Sequence, residues 1–202
     1  EKIFIFHKCL NHSHYLKENI KKYIDYLKYE TEQYYIKIGD EWYINKYKWF
    51  IDCKKLYWIF INTFNTILTL DITLNTGLIH NDLCKWNIIP NDLNWIEFID
   101  FDGMHKNLLL KDYIIFIIRF DLFWDIEKYF FKNKKWKLYI WNEKIEYNLI
   151  KSLYLIYSIN LILNMIYYIW YNIKNVNDEN FYKNNKQSWQ EIYKNLLKYK
   201  LI

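Results

Sequence analysis

The sequence predicts a mainly α chain with a small β element near its middle. Apolar residues recur at helical spacing both before and after residues 78–99. Inside that window, two short apolar runs, residues 78–80 and 95–99, have strand character and flank a loop that holds the only proline, Pro90. With 202 residues, 52% of them hydrophobic and 25% charged, the chain has ample length for a core and is globular rather than disordered.

Taken in order, Leu16, Ile20, Tyr23, Ile24 and Leu27 form one apolar stripe and predict a helix. The stretch YYIKIGDEWYINKY, residues 34–47, has a turn signal at Gly39–Asp40 and partial alternation, which fits a small hairpin or loop. From Lys54 to about Leu74 an apolar-rich helix is expected, with Gly77 as its stop. After Gly103, helices are expected over about 111–131 and 143–173. Ser188 and Glu191 make an S-x-x-E capping box for a last helix, with Trp189, Ile192, Tyr193, Leu196 and Leu197 on one face. No internal repeat or linker is visible, so residues 1–202 are expected to form one domain.

Residues 152–173 carry no charge and are long enough to span a bilayer. Ser152, Ser158, Asn160, Asn164 and Asn172 interrupt the run, so it reads as a core helix and not as a transmembrane segment. No signal peptide is visible, and the chain begins at Glu1 instead of Met.

Aromatic residues reach 22%, alanine is absent, and the abundant Ile, Lys, Asn, Tyr and Phe share AT-rich codons. Lysine runs and tyrosine clusters therefore say little by themselves. The net charge is +5, but the lysines are mixed with glutamates and the only arginine is Arg119. That pattern argues against nucleic-acid binding, which favours arginine forks on a concentrated basic face. Cys9, Cys53 and Cys84 form no CxxC pair and fit a reduced compartment. His7, His12 and His14 lack Cys or acidic partners at zinc-site spacing.

The chemistry-bearing segment is His80-Asn81-Asp82-Leu83-Cys84-Lys85-Trp86-Asn87. It fills every fixed position of the H-x-D-L-x-x-x-N catalytic loop of protein kinases. An apolar run, WIEFI, then delivers Asp100-Phe101-Asp102-Gly103 where Asp-Phe-Gly would stand. Phosphoryl transfer needs positioning and charge neutralisation more than covalent help. On this reading Asp82 orients the acceptor hydroxyl and takes its proton, while His80 pins the loop. Asn87 and Asp100 hold Mg2+ against the phosphates of ATP. Lys85 stands one place later than the lysine of protein kinases and reads as a solvated lysine before a phosphate contact. Asp102 is either a second metal contact or an acceptor that braces the loop. As simple structure formers, Asp82 and Asn87 would sit in turns and Asp100 would cap a helix. Neither role explains a carboxylate at the end of an apolar strand.

Asn81 departs from the arginine of protein kinases, and HNDL…N…IDFD resembles the small-molecule branch: aminoglycoside, choline and ethanolamine phosphotransferases. Within that branch the chain is most similar to the CotS-type spore coat proteins. FIFHKCLNHSHY (residues 4–15) is similar to a family helix with an F-H-K-x-S-like ending, and residues 98–119 to its I-D-F-D followed by a helix start. LILNMIYYIWYN (161–172) and QSWQEIYKNLLKY (187–199) are similar to its late helices.

The resemblance implies a protein-kinase-like C-terminal lobe in which Asp112 buttresses the catalytic loop. Read by itself, Asp112 is equally an ordinary helix N-cap. The resemblance further implies ATP and Mg2+ as cofactors, a hydroxyl-bearing acceptor, other coat proteins as partners, and a place in the mother-cell cytoplasm and spore coat. Only Gly39 and Gly77 precede His80, so no Gly-rich loop is present ahead of it, and the N-terminal nucleotide-binding lobe is expected to be largely absent from this sequence. A C-terminal fragment with little activity of its own is the expectation. The alternatives are a catalytically silent coat protein and a choline- or ethanolamine-type kinase. An aromatic cage for a quaternary ammonium would mark the latter.

Overall fold

Helices make up most of the computed structural model, which describes residues 2–11, 15–39, 52–90, 96–132, 137–140, 143–176 and 179–202. The chain order is α1 (Lys2–Leu10), β1 (Leu16–Asn19), α2 (Lys21–Gly39), α3 (Cys53–Leu68) and β2 (Thr73–Ile79). A 3-10 turn (Lys85–Asn87), β3 (Ile88–Pro90), β4 (Ile96–Phe98) and β5 (His105–Leu108) follow. Then come α4 (Leu109–Arg119), α5 (Phe123–Lys132), β6 (Lys137–Ile140), β7 (Glu143–Glu146), α6 (Tyr147–Val176) and α7 (Glu179–Lys198). The expectation of a mainly α chain with a small β element holds.

The chain divides into two compact units. One comprises Glu1–Tyr23 and Leu70–Tyr154, the other Ile24–Thr69 and Leu155–Ile202. In the first, β2 lies between β1 and β5, antiparallel to both, and β3 pairs with β4 as a separate ribbon. Its core gathers Leu74 and Ile79 from β2, Leu109, Leu110, Ile114 and Ile118 from α4, and Phe123, whose ring is tilted against that of Tyr154 with centroids 4.4 Å apart. Each such aliphatic side chain contributes about 1.5–3 kcal/mol on burial. In the second unit, Leu56, Phe60, Phe64 and Ile67 recur at helical spacing on α3 and are buried. Asp52 starts α3 by accepting the Lys55 N–H at 2.8 Å. Asn160, inside α6, donates to Thr31 Oγ1, and Thr31 donates to the Leu27 carbonyl, so these buried polar groups are matched.

Several boundaries differ from those expected. Leu16 belongs to β1 and is 60% exposed; α2 begins at Lys21, whose N–H is taken by Asn19 Oδ1. Sheet pairing to Thr76 decides Leu16, while Ile20, Ile24 and Leu27 are buried as the stripe requires. Residues 34–39 continue α2 instead of forming a hairpin, and 40–47 lie outside the described residues.

The helix from residue 53 ends at Leu68, and Gly77 is not its stop but a residue of β2. Pairing on both edges of β2 and β-branched Thr73, Thr76 and Ile79 favour the strand. A Cβ at Gly77 would lie 2.4 Å from Oδ1 of Asn11, the residue after α1, so any larger residue there would force that side chain to move. The helix expected over 111–131 is broken where Asp121 adopts φ 54°, between α4 and α5. Glu143–Glu146 forms β7 before α6 begins.

Ser188 lies inside α7, where its backbone N–H is already committed to the helix, so the capping box is not formed. Trp189, Ile192 and Leu196 are buried, but Leu197 is half exposed. Within α6, Tyr147–Ile169 is the one described stretch long and apolar enough to cross a membrane, and 72% of its apolar window is buried. That burial is what a core helix shows.

Candidate active site

Strand pairing brings two loops together. His80–Asn87 runs from the end of β2 to the start of β3, and residues 99–104 run from the end of β4 to the start of β5. Since β2 pairs with β5 (Ile79↔His105) and β3 with β4 (Ile88↔Phe98), both ends of one loop are fixed beside both ends of the other. The Ile99 N–H donates to the Asn87 carbonyl at 3.0 Å, and the His80 ring donates from Nε2 to the Ile99 carbonyl at 2.8 Å. A carbonyl only accepts, so the proton is on His80 Nε2. Gly103 lies against the same loop: a Cβ there would stand 3.5 Å from the His80 carbonyl. The two strands expected around Pro90 are present, but each pairs with a different partner, β2 with β1 and β5, β4 with β3.

Inside the first loop, the Asn87 side-chain nitrogen donates to both the Asp82 carbonyl and Asp82 Oδ2, each at 3.0 Å. Asn87 is buried and Asp82 is exposed, so a fixed amide holds a solvent-facing carboxylate. With the nitrogen committed, Asn87 Oδ1 stands as an acceptor. The Cys84 N–H closes a tight turn onto the Asp82 carbonyl at 2.9 Å.

Asp112 anchors the loop from below. It is fully buried in the first turn of α4, whose N-cap is Leu108, so Asp112 is not the N-cap. Its Oδ2 accepts the His80 backbone N–H and its Oδ1 that of Asn81, both at 2.7 Å. A third donor, His7 Nε2, reaches Oδ2 at 2.8 Å from α1. A buried carboxylate is tolerable only when so matched. Sequence reasoning missed His7 in this role. The signal was its place four residues after Ile3 on the buried face of a short apolar helix. Phe6, beside it, packs with ring centroids 4.5 Å from Phe98 and 6.0 Å from both His80 and Phe101.

Each of the two loops holds one residue in the left-handed region. Among the described non-glycine residues with positive φ, Asn81 (70°) and Asp100 (61°) belong to these two loops. Such conformations cost energy and persist where surrounding contacts fix them. Asp100, Asp102 and Lys85 are exposed and make no side-chain hydrogen bond among the described residues. His12 and His14 lie outside the described residues, while His7 is committed to Asp112.

Asn87 Oδ1 and the carboxylates of Asp82 and Asp100 are hard oxygen donors, the type Mg2+ takes. No group of three or more His, Cys, Asp or Glu side chains is placed to share an ion among the described residues. No protein-family model, curated protein or solved structure matches the chain.

Proposed function

We propose that this chain carries the catalytic segment of a kinase-like phosphotransferase, moving phosphate from ATP to a hydroxyl acceptor with Mg2+. The observation that carries the reading is Asn87: its side-chain nitrogen fixes Asp82, while its backbone carbonyl holds Ile99, the residue before Asp100. One residue thus couples the base to the second acidic segment. Asp82, with Oδ2 engaged by Asn87, has Oδ1 to align an acceptor hydroxyl and take its proton. Asn87 Oδ1 and Asp100 would hold Mg2+, which when bound neutralises charge on the phosphate being transferred. His80 keeps the two segments in register through Ile99, and Asp112 holds the loop backbone. Lys85, exposed on its 3-10 turn, and Asp102 support only auxiliary contacts to phosphate or metal.

Assignment to the CotS-type coat proteins, with its spore-coat and mother-cell location, is supported by the sequence segments alone. No Gly-rich loop precedes His80, so slow turnover is expected from this chain by itself. The test is transfer of labelled γ-phosphate from ATP to choline, ethanolamine, an aminoglycoside and hydroxyl-bearing peptides. Mg2+-dependent transfer that falls at least about 100-fold in Asp82→Asn supports the proposal. Equal transfer in both forms overturns the role given to Asp82, and neither nucleotide binding nor transfer overturns the proposal in favour of a silent coat protein.

A further inference from the structure

We infer that His7 is a positioning residue for the catalytic loop, acting through the rotation of the Asp112 carboxylate; its kinetic consequence rests on the phosphotransferase reading. Asp112 must present two oxygens to two consecutive backbone N–H groups, those of His80 and Asn81. That is one specific carboxylate rotation. The two backbone bonds alone leave it open to exchange with conformers in which one oxygen serves both amides. His7 removes that freedom, because its Nε2–H lies 2.8 Å from Oδ2 and both side chains are wholly shielded from water.

The consequence reaches the chemistry by a short path. Asn81 is held at φ 70°, a conformation that needs outside support, and the next residue is Asp82. Loss of the Asn81 bond would let this peptide relax and swing Asp82 away from its Asn87 contact. Phe6 reinforces the same geometry by packing against His80, Phe98 and Phe101, so one dipeptide of α1 touches both loops. Phe6 acts by contact area, whereas His7 acts by a directed bond. Substitution separates the two roles.

The experiment compares wild type, His7→Gln, His7→Phe and Phe6→Leu by residue-resolved amide hydrogen exchange and by kinetics of phosphate transfer. His7→Gln keeps a side-chain N–H near the Nε2 position, and His7→Phe keeps the ring without the donor. The expected result is loss of protection by about tenfold or more at His80 and Asn81 in His7→Phe, the scale of one buried hydrogen bond to a charged group. Protection at α4 and β2 amides stays unchanged, and His7→Gln restores the His80 and Asn81 values. In turnover, kcat falls about tenfold in His7→Phe with KM for ATP little moved. Unchanged protection at His80 and Asn81, or an equal loss over the whole unit, overturns the inference. Localised exchange changes in a protein with no transfer in any form leave the positioning role standing and refute the phosphotransferase reading.

Discussion

His80 donates from Nε2 to the Ile99 carbonyl at 2.8 Å, and this bond joins the loop that carries Asp82 to the segment that carries Asp100. It ties the two segments that carry these exposed carboxylates to one buried ring, that of His80. Changes to the carboxylates and changes to their supports should therefore have opposite signatures.

Replacing Asp100 by Asn removes charge from an exposed side chain with no hydrogen-bond partner among the described residues. Little packing is lost, and one negative charge is removed from an exposed segment that also carries Asp102. Asp100→Asn should abolish phosphate transfer while leaving the thermal midpoint unchanged or slightly higher. A lowered midpoint in scanning calorimetry would show Asp100 to be a scaffold residue.

Asp112→Ala should behave in the reverse way. It leaves the His7 ring N–H and the backbone N–H groups of His80 and Asn81 unpaired in a dry interior. A loss of about 3–5 kcal/mol is expected, the scale for breaking a buried charged network. Urea unfolding measures it; a loss under about 1 kcal/mol would mean that water enters and replaces the carboxylate.

Gly77→Ala tests the seam between α1 and β2. Asn11 is pinned there by its own bonds to the His7 and Leu78 carbonyls and by the Leu78 N–H, so it has little room to retreat from a new methyl. The substitution should cost about 1–3 kcal/mol. Replacing Asn11 with Gly in the same chain should recover part of that cost.

Glu18 gives the protein an acid-sensitive staple. Hydrogen bonds from Lys106, Tyr23 and Lys22 lower its carboxyl from 4.5 to about 2. A folded pKa below the unfolded one means the contribution is present above pH 4.5 and is lost as pH falls through about 2. Wild type should therefore exceed Glu18→Gln in urea midpoint at pH 6, and the gap should close in acid. A gap independent of pH would assign the effect to packing.

The placement of His80, Asp82, Asn87 and Asp100 on two neighbouring loops was legible because it is local: it follows from loop spacing and an apolar strand that ends in a carboxylate. Its supports were less legible. His7 meets Asp112 across 105 positions of sequence, and a lone histidine in an apolar helix does not announce its partner. Gly77 was read as a helix stop because glycine serves both uses, and only the approach of Asn11 decides between them. Ser188 shows the converse, since a correct capping pattern is silent when the helix has already begun at Glu179. Long helical periodicity survived, whereas boundaries moved wherever a short strand such as β1 or β7 took the flanking residues.

The central claim is that Asn87 and Asp100 hold Mg2+ beside Asp82 when nucleotide is present. Its most direct test is electron paramagnetic resonance of Mn2+ titrated into the protein with ATP, for wild type, Asn87→Leu and Asp100→Asn. The predicted result is an ATP-dependent bound signal in wild type that weakens about tenfold or more in each variant, one lost ligand being worth at least 1.4 kcal/mol. Identical titrations in all three proteins would contradict the account.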